Sequence, residues 1–157
     1  MTEGALPQRP GPRPRTHKIP PHTQLDAEPI PSLIAELASR CFALPHVVEA
    51  PTSISIPGAR ALVATPDAPF DPAKAMIGRE FAHIHPDGSM HTLLPQALAA
   101  EATDTGWADP HPMAAAFEPG LVMVYTPRDT DELDTIWRLV EASHAYVMTA
   151  TGVPASN

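Results

Sequence analysis

The chain has 157 residues, 43% of them hydrophobic and 18% charged, with a formal net charge of −8 and one cysteine, Cys41. That length supports one core and excludes two full domains, and a lone cysteine excludes an internal disulfide or a thiolate metal cluster. The acidic balance argues against nucleic acid, and no segment approaches the roughly 18 apolar residues of a membrane span or the apolar core of a signal peptide, so a soluble, cytoplasmic protein is expected.

Residues 1–28 read as a disordered, Pro-rich leader. It carries Pro7, Pro10, Pro12, Pro14, Pro20 and Pro21, and residues 1–24 hold four basic side chains against Glu3, a net of +3 that leaves −11 for the rest. Order is expected over 29–150, followed by a short tail at 151–157. Ser32 can cap a helix over about 32–43, with Leu33, Ile34, Leu37 and Cys41 on its apolar side and Pro45 beyond its end. A β-like region follows in three pieces, Val47–Glu49, Thr52–Ile56 and Ala59–Ala64, the last two joined by a Pro57-Gly58 turn. Residues 65–78 contain three prolines and a glycine without periodicity, the pattern of a loop able to cover a site.

Three of the eight histidines, His83, His85 and His91, fall within nine residues around Pro86-Asp87-Gly88. Read as a three-residue loop, this turn pairs His85 with Ser89 and His83 with His91, and a period of two then puts His83, His85, Ser89 and His91 on one face together with Phe81. Glu80 falls on the opposite face. A two-residue Asp87-Gly88 loop would instead send His91 to the other side, beside Ile84. The first register gives Pro86 a favoured turn position and is preferred.

A short helix begins after Pro95 and ends at Gly106; Ala108–Pro112, which includes His111, reads as a loop. Residues 120–125 form a short apolar strand. A helix of about 130–149 is the clearest element, with Asp129, Asp131 and Glu132 crowding its start and Leu133, Ile136, Trp137, Val140, His144 and Val147 tracing one face. The fold expected is a single α+β domain, an antiparallel sheet of about five strands with the C-terminal helix packed on it.

The three hairpin histidines admit three chemistries: acid/base groups, ligands of a divalent metal such as iron, manganese or zinc, or a polar network in a non-catalytic domain that binds a small molecule or partner. A two-His-plus-carboxylate metal site would need Asp87, Asp109 or another remote acid. His111, fixed between two prolines, is either a site residue or a loop histidine. Arg128 can grip an anion or simply pair with Asp131 or Glu132, and Arg79 with Glu80 can be an ordinary strand pair. No phosphate loop, nucleophile elbow or catalytic cysteine motif is present.

Several spaced pieces, Arg79-Glu80-x-Ala82-His83-x-His85, His91, Gly106-Trp107, His111-Pro112, Tyr125-x-Pro127-Arg128 and Glu141-Ala142-Ser143-x-x-Tyr146, resemble the luciferase-domain family that includes the fungal luciferases. The resemblance implies an oxygenase that adds dioxygen to an enolisable hydroxypyrone or phenol, as fungal enzymes do with 3-hydroxyhispidin. It needs no flavin, haem or other cofactor. By that resemblance His83, His85, His91, His111, Arg79 and Glu80 are the catalytic candidates, and Arg128, Ser89 and Tyr125 the candidates for holding substrate. The turn between His85 and His91 is shorter than in the fungal enzymes, and light emission is not expected.

Overall fold

A computed structural model describes residues 4–17, 22–112 and 120–149. In chain order the elements are α1 (Pro31–Phe42), β1 (Val47–Pro51), β2 (Arg60–Ala64), β3 (Glu80–Ile84), β4 (Met90–Leu93), α2 (Gln96–Asp104), β5 (Ala108–Pro110), β6 (Leu121–Val124) and α3 (Thr130–Val147), with a 3-10 turn at Pro72–Lys74. The strands form one antiparallel sheet in the order β1-β2-β3-β4-β6-β5. This is the expected α+β domain with one more strand. β5 escapes sequence reading because it has three residues and ends in Pro110, a residue tolerated at a sheet edge where no further ladder bond is needed.

One face of the sheet packs on α1 and α3. Leu62, Ala82, Ile84, Met90 and Val122 meet Leu33, Leu37 and Cys41 from α1 and Leu133, Ile136, Leu139 and Val140 from α3, all buried in one cluster. The helices are where periodicity predicts them because their apolar stripes need that sheet face. Pro31 takes the first helical turn of α1, so Ser32 is not its cap and no side chain caps it. In α3 the Asp129 carboxylate accepts from the Glu132 amide, a complete N-cap. Thr92 and Ser143 hydroxyls meet at 2.5 Å and tie β4 to α3.

Residues 52–56 form bends and not a strand. The 65–78 loop, expected as a cover for the site, packs elsewhere: Phe70 is buried 6.0 Å from the Phe81 ring, and the Asp71 amide donates to Val147 O at the end of α3. The buried Phe70 ring and the Asp71 backbone amide hold this Pro-rich loop on the core side.

The segment expected to be a disordered leader lies along the domain at its described residues. Leu6, Arg9, Thr16, His22 and Gln24 are buried. Arg9 N donates to Thr105 O, Trp107 Nε1 to Pro7 O, and the Arg13 guanidinium to Ala108 O and Thr103 O. Composition could not reveal this, because the described residues of the segment are fixed by polar contacts with distant backbone and, among them, a single buried aliphatic side chain, Leu6. The tail at 151–157 lies outside the described residues.

Candidate functional site

The hairpin closes as the three-residue loop requires. His85 N donates to Ser89 O at 2.8 Å, Gly88 N to His85 O at 2.9 Å, and the register pairs His83 with His91 and Ile84 with Met90. Gly88 supplies the left-handed residue, φ +90°, and a Cβ there would lie 2.3 Å from Thr126 Oγ1. Side-by-side pairing then builds a row across the sheet on the face opposite the helices: Ala61, His83, His91, Met123 and Asp109 are successive partners from β2 to β5.

Glu80 joins this face, contrary to the period-two expectation. The register between β2 and β3 slips, Leu62 pairing with Ala82 but Val63 with Glu80, so Phe81 is left without a partner. That bulge reverses the parity of the strand start. Phe81 turns into the core with Phe70, and Glu80 Oε2 comes to 3.0 Å from His83 Nδ1.

Five imidazoles gather here. His83 Nε2 lies 2.9 Å from His91 Nδ1, His91 Nε2 lies 3.2 Å from His22 Nδ1, and His22 Nε2 lies 2.8 Å from Asp109 Oδ2. His85 Nδ1 is 2.9 Å from Ser89 Oγ, and the His85 and His91 ring centres are 4.7 Å apart. The His111 ring is 4.7 Å from that of His91 and edge-on to that of His22. Only His111 is partly exposed; the other four are buried. Two carboxylates bracket the row. Glu80 accepts from Thr52 Oγ1 and Ser53 N, and Asp109 from Thr16 Oγ1.

Burial sets the charge of the rings. It pushes the His85 imidazole down to about 3, helped by the positive charge that His83, His22 and His111 would carry. Burial likewise pushes His111 down to about 4 and His91 well below the usual range, so these three rings are neutral at pH 7. Burial alone would raise Glu80, but hydrogen bonds from His83, Ser53 and Thr52 outweigh it and hold the carboxyl below its ordinary value. Two groups of three histidines, His83/His85/His91 and His22/His91/His111, each bring one nitrogen per ring within 4.8 Å of the others, close enough to hold a metal ion.

A cavity of about 370 Å³ opens on the cluster, lined by His22, Thr23, His85, His91 and His111 and by Ile54, Ser55 and Ile56. That is a small-molecule volume with imidazoles and two isoleucines in its lining. Glu80 helps to position Ile54, Ser55 and Ile56, because its bonds to Thr52 and Ser53 hold the start of the 52–56 segment.

Of the residues picked from sequence, the structure brings together His83, His85, His91, His111, Glu80 and Ser89. It does not bring Arg79, Arg128 or Tyr125 to them. Arg79 donates to Ala64 O and Thr65 O and covers the Phe70 ring. Arg128 pairs with Glu132 and donates to Pro10 O. Tyr125 is buried, with Arg9 over its ring and its hydroxyl accepting from Arg13. Sequence reading missed His22 altogether, since nothing in its Pro-rich surroundings signals order. It is placed by antiparallel contacts within the segment, where His17 N donates to Thr23 O and Leu25 N to Arg15 O.

Among the described residues no helix is long and apolar enough to cross a membrane. Residues 78–143 match the family described as Luciferase domain. The chain is 28% identical over 163 residues to a luciferase of Armillaria gallica, covering 90% of this chain and 61% of that protein. A luciferase of Armillaria mellea gives 28% over 164 residues, 90% of this chain and 61% of the relative, and one from Neonothopanus nambi 33% over 75 residues, 44% and 28%. The chain thus spans about three fifths of the length of the Armillaria proteins. No solved structure matches it significantly. The histidine hairpin and His111 therefore stand in the segment, 78–143, that matches the Luciferase domain family, and the chain is similar to fungal luciferases over most of its length.

Proposed function

We propose that this protein is an oxidoreductase that adds dioxygen to an enolisable hydroxypyrone or phenolic small molecule in the histidine-lined cavity. The observation that carries the reading is the cavity itself: four imidazoles share with Ile54 and Ile56 the lining of a volume that would take one or two rings. The similarity to fungal luciferases supplies the reaction class.

His111 is the residue best suited to act as base. It lines the cavity, is partly exposed, and is neutral at pH 7 because burial holds it at about 4. Taking a proton from an enol puts an anion next to the new imidazolium, and that anion offsets part of the burial penalty which makes the ring a weak base in the free protein. The resulting enolate is electron-rich enough to react with dioxygen at carbon. The His111 imidazolium formed in that step then stabilises the peroxide anion that follows. Ile54 and Ile56 would cover the ring and limit access of water.

The test is oxygen uptake on a panel of hydroxypyrones and catechols, comparing wild type with His111→Gln. Uptake on at least one compound, reduced about 10²-fold or more in the variant, is the expected result. Equal rates would remove the histidine base. Binding of a pyrone with no oxygen uptake would instead make the domain a small-molecule binding module.

A further inference from the structure

The protons of the cluster can be placed by following its hydrogen bonds inward from the acids. Both Glu80 oxygens accept hydrogen bonds, from Thr52 Oγ1 and from Ser53 N, so the proton between Glu80 and His83 sits on His83 Nδ1, and a neutral His83 presents a lone pair at Nε2. From the other end, the Asp109 carboxylate accepts from Thr16 and from His22 Nε2–H, so His22 Nδ1 is a lone pair that accepts from His91 Nε2–H. That leaves His91 Nδ1 bare as well. Two lone pairs, His83 Nε2 and His91 Nδ1, thus face each other at 2.9 Å.

His85 supplies a third. Ser89 Oγ donates to Asp87 Oδ1 at 2.6 Å and so accepts from His85 Nδ1–H, leaving His85 Nε2 with its lone pair. That atom is buried and finds no hydrogen-bond partner among the described residues. Its residue belongs with His83 and His91 to one group whose ligand atoms lie within 4.8 Å of each other.

We infer that His83, His85 and His91 form a three-imidazole site for a divalent first-row transition metal ion, bound through His83 Nε2, His85 Nε2 and His91 Nδ1. One extra proton shared by His83 and His91 would relieve their mutual repulsion, but it would leave His85 Nε2 buried and bare. A cation satisfies all three. Each ligand's far nitrogen then donates as metal-bound histidines do: His83 to Glu80, His85 to Ser89, and His91 to His22, which is in turn fixed by Asp109. Glu80 and Asp109, one and two rings removed from the ion, supply two negative charges to offset it. The other group, His22/His91/His111, would take nitrogens already used in the chain from His91 to Asp109, and would leave His83 and His85 unmatched. Neutral imidazoles without thiolates suit zinc, iron, cobalt or nickel better than magnesium or calcium. Because His85 and His91 line the cavity, the remaining coordination positions face it.

This site stands apart from the oxygenase reading, and its test needs no substrate. Protein prepared without a histidine tag is stripped with a chelator and titrated with Co²⁺, followed by calorimetry, visible absorption and cobalt-edge X-ray absorption. One equivalent per chain and a scattering pattern of three imidazoles are expected. Glu80→Gln should weaken binding about 10- to 100-fold. His85→Ala, or His85→Gln if the alanine variant does not fold, should weaken it further, while His111→Ala and His144→Ala should leave it unchanged. Binding below half an equivalent, fewer than two imidazoles around cobalt, or wild-type affinity in a folded His85 variant would each overturn the site. A protein that does not take up Co²⁺ yet consumes oxygen would sink this site and spare the proposed reaction, and a protein that binds Co²⁺ through three imidazoles with no oxygen uptake would do the reverse.

Discussion

At the scale of single residues, the molecule uses buried polar groups in matched sets. Glu132 is buried near the start of α3, and its carboxylate takes hydrogen bonds from the Arg128 backbone and guanidinium. Burial alone would raise this carboxyl, but the Arg128 bonds and charge prevail and its pKa is lowered. A carboxyl whose folded pKa lies below its unfolded value, about 4.3, adds stability that is present above that value and is lost as pH falls through the folded pKa. Urea midpoints measured from pH 6 to pH 3 should therefore fall less steeply in Glu132→Gln than in wild type, with the variant less stable by about 1–3 kcal/mol at pH 7. Parallel acid limbs would show that the pair carries no such linkage. Cys41 shows the opposite treatment: burial pushes its thiol up to about 12, and it sits as an apolar filler against the sheet, as its place on the apolar side of the helix predicts.

At the scale of elements, the β3–β4 hairpin decides whether a site exists. Its register was legible because Pro86-Asp87-Gly88 has strong turn preferences and a one-residue slip would reverse a whole face. What sequence could not show is the bulge at Phe81. It depends on the partner strand β2 and on the aromatic contact with Phe70, both distant in sequence. Gly88 holds the register from the other side. Gly88→Ala would force a side chain into φ +90° and against Thr126 Oγ1 at 2.3 Å and Ile34 Cγ1 at 2.8 Å. The expected cost is about 2–4 kcal/mol, read as a lowered denaturant midpoint. A midpoint unchanged within error would mean the loop relaxes without that clash.

At the scale of the whole molecule, the site is completed by chain segments far from the hairpin. Residues 4–17 and 22–28 contribute His22 and Thr16 to the Asp109 end of the row, and bury Leu6, whose amide donates to Glu101 in α2, and Arg9, whose amide donates to Thr105 just after it. Removing residues 1–24 should lower Tm by at least about 5 °C, since burying one aliphatic side chain and several hydrogen bonds together stabilises by a few kcal/mol. An unchanged melting curve would show that this segment is not part of the folded body. The amino-acid sequence by itself determined the helices, the hairpin register and the meeting of His83 with His91, because each rests on short-range periodicity or turn stereochemistry. It also carried the family resemblance, written in spaced motifs. Only the tertiary structure decided that Glu80 turns to the histidines, that Asp109 and His22 close the other end, and that Arg79, Arg128 and Tyr125 lie apart. Those placements depend on a strand bulge, an edge strand and a Pro-rich segment whose partners lie on other elements, 100 residues away in the case of Pro7 and Trp107, beyond the reach of any local pattern.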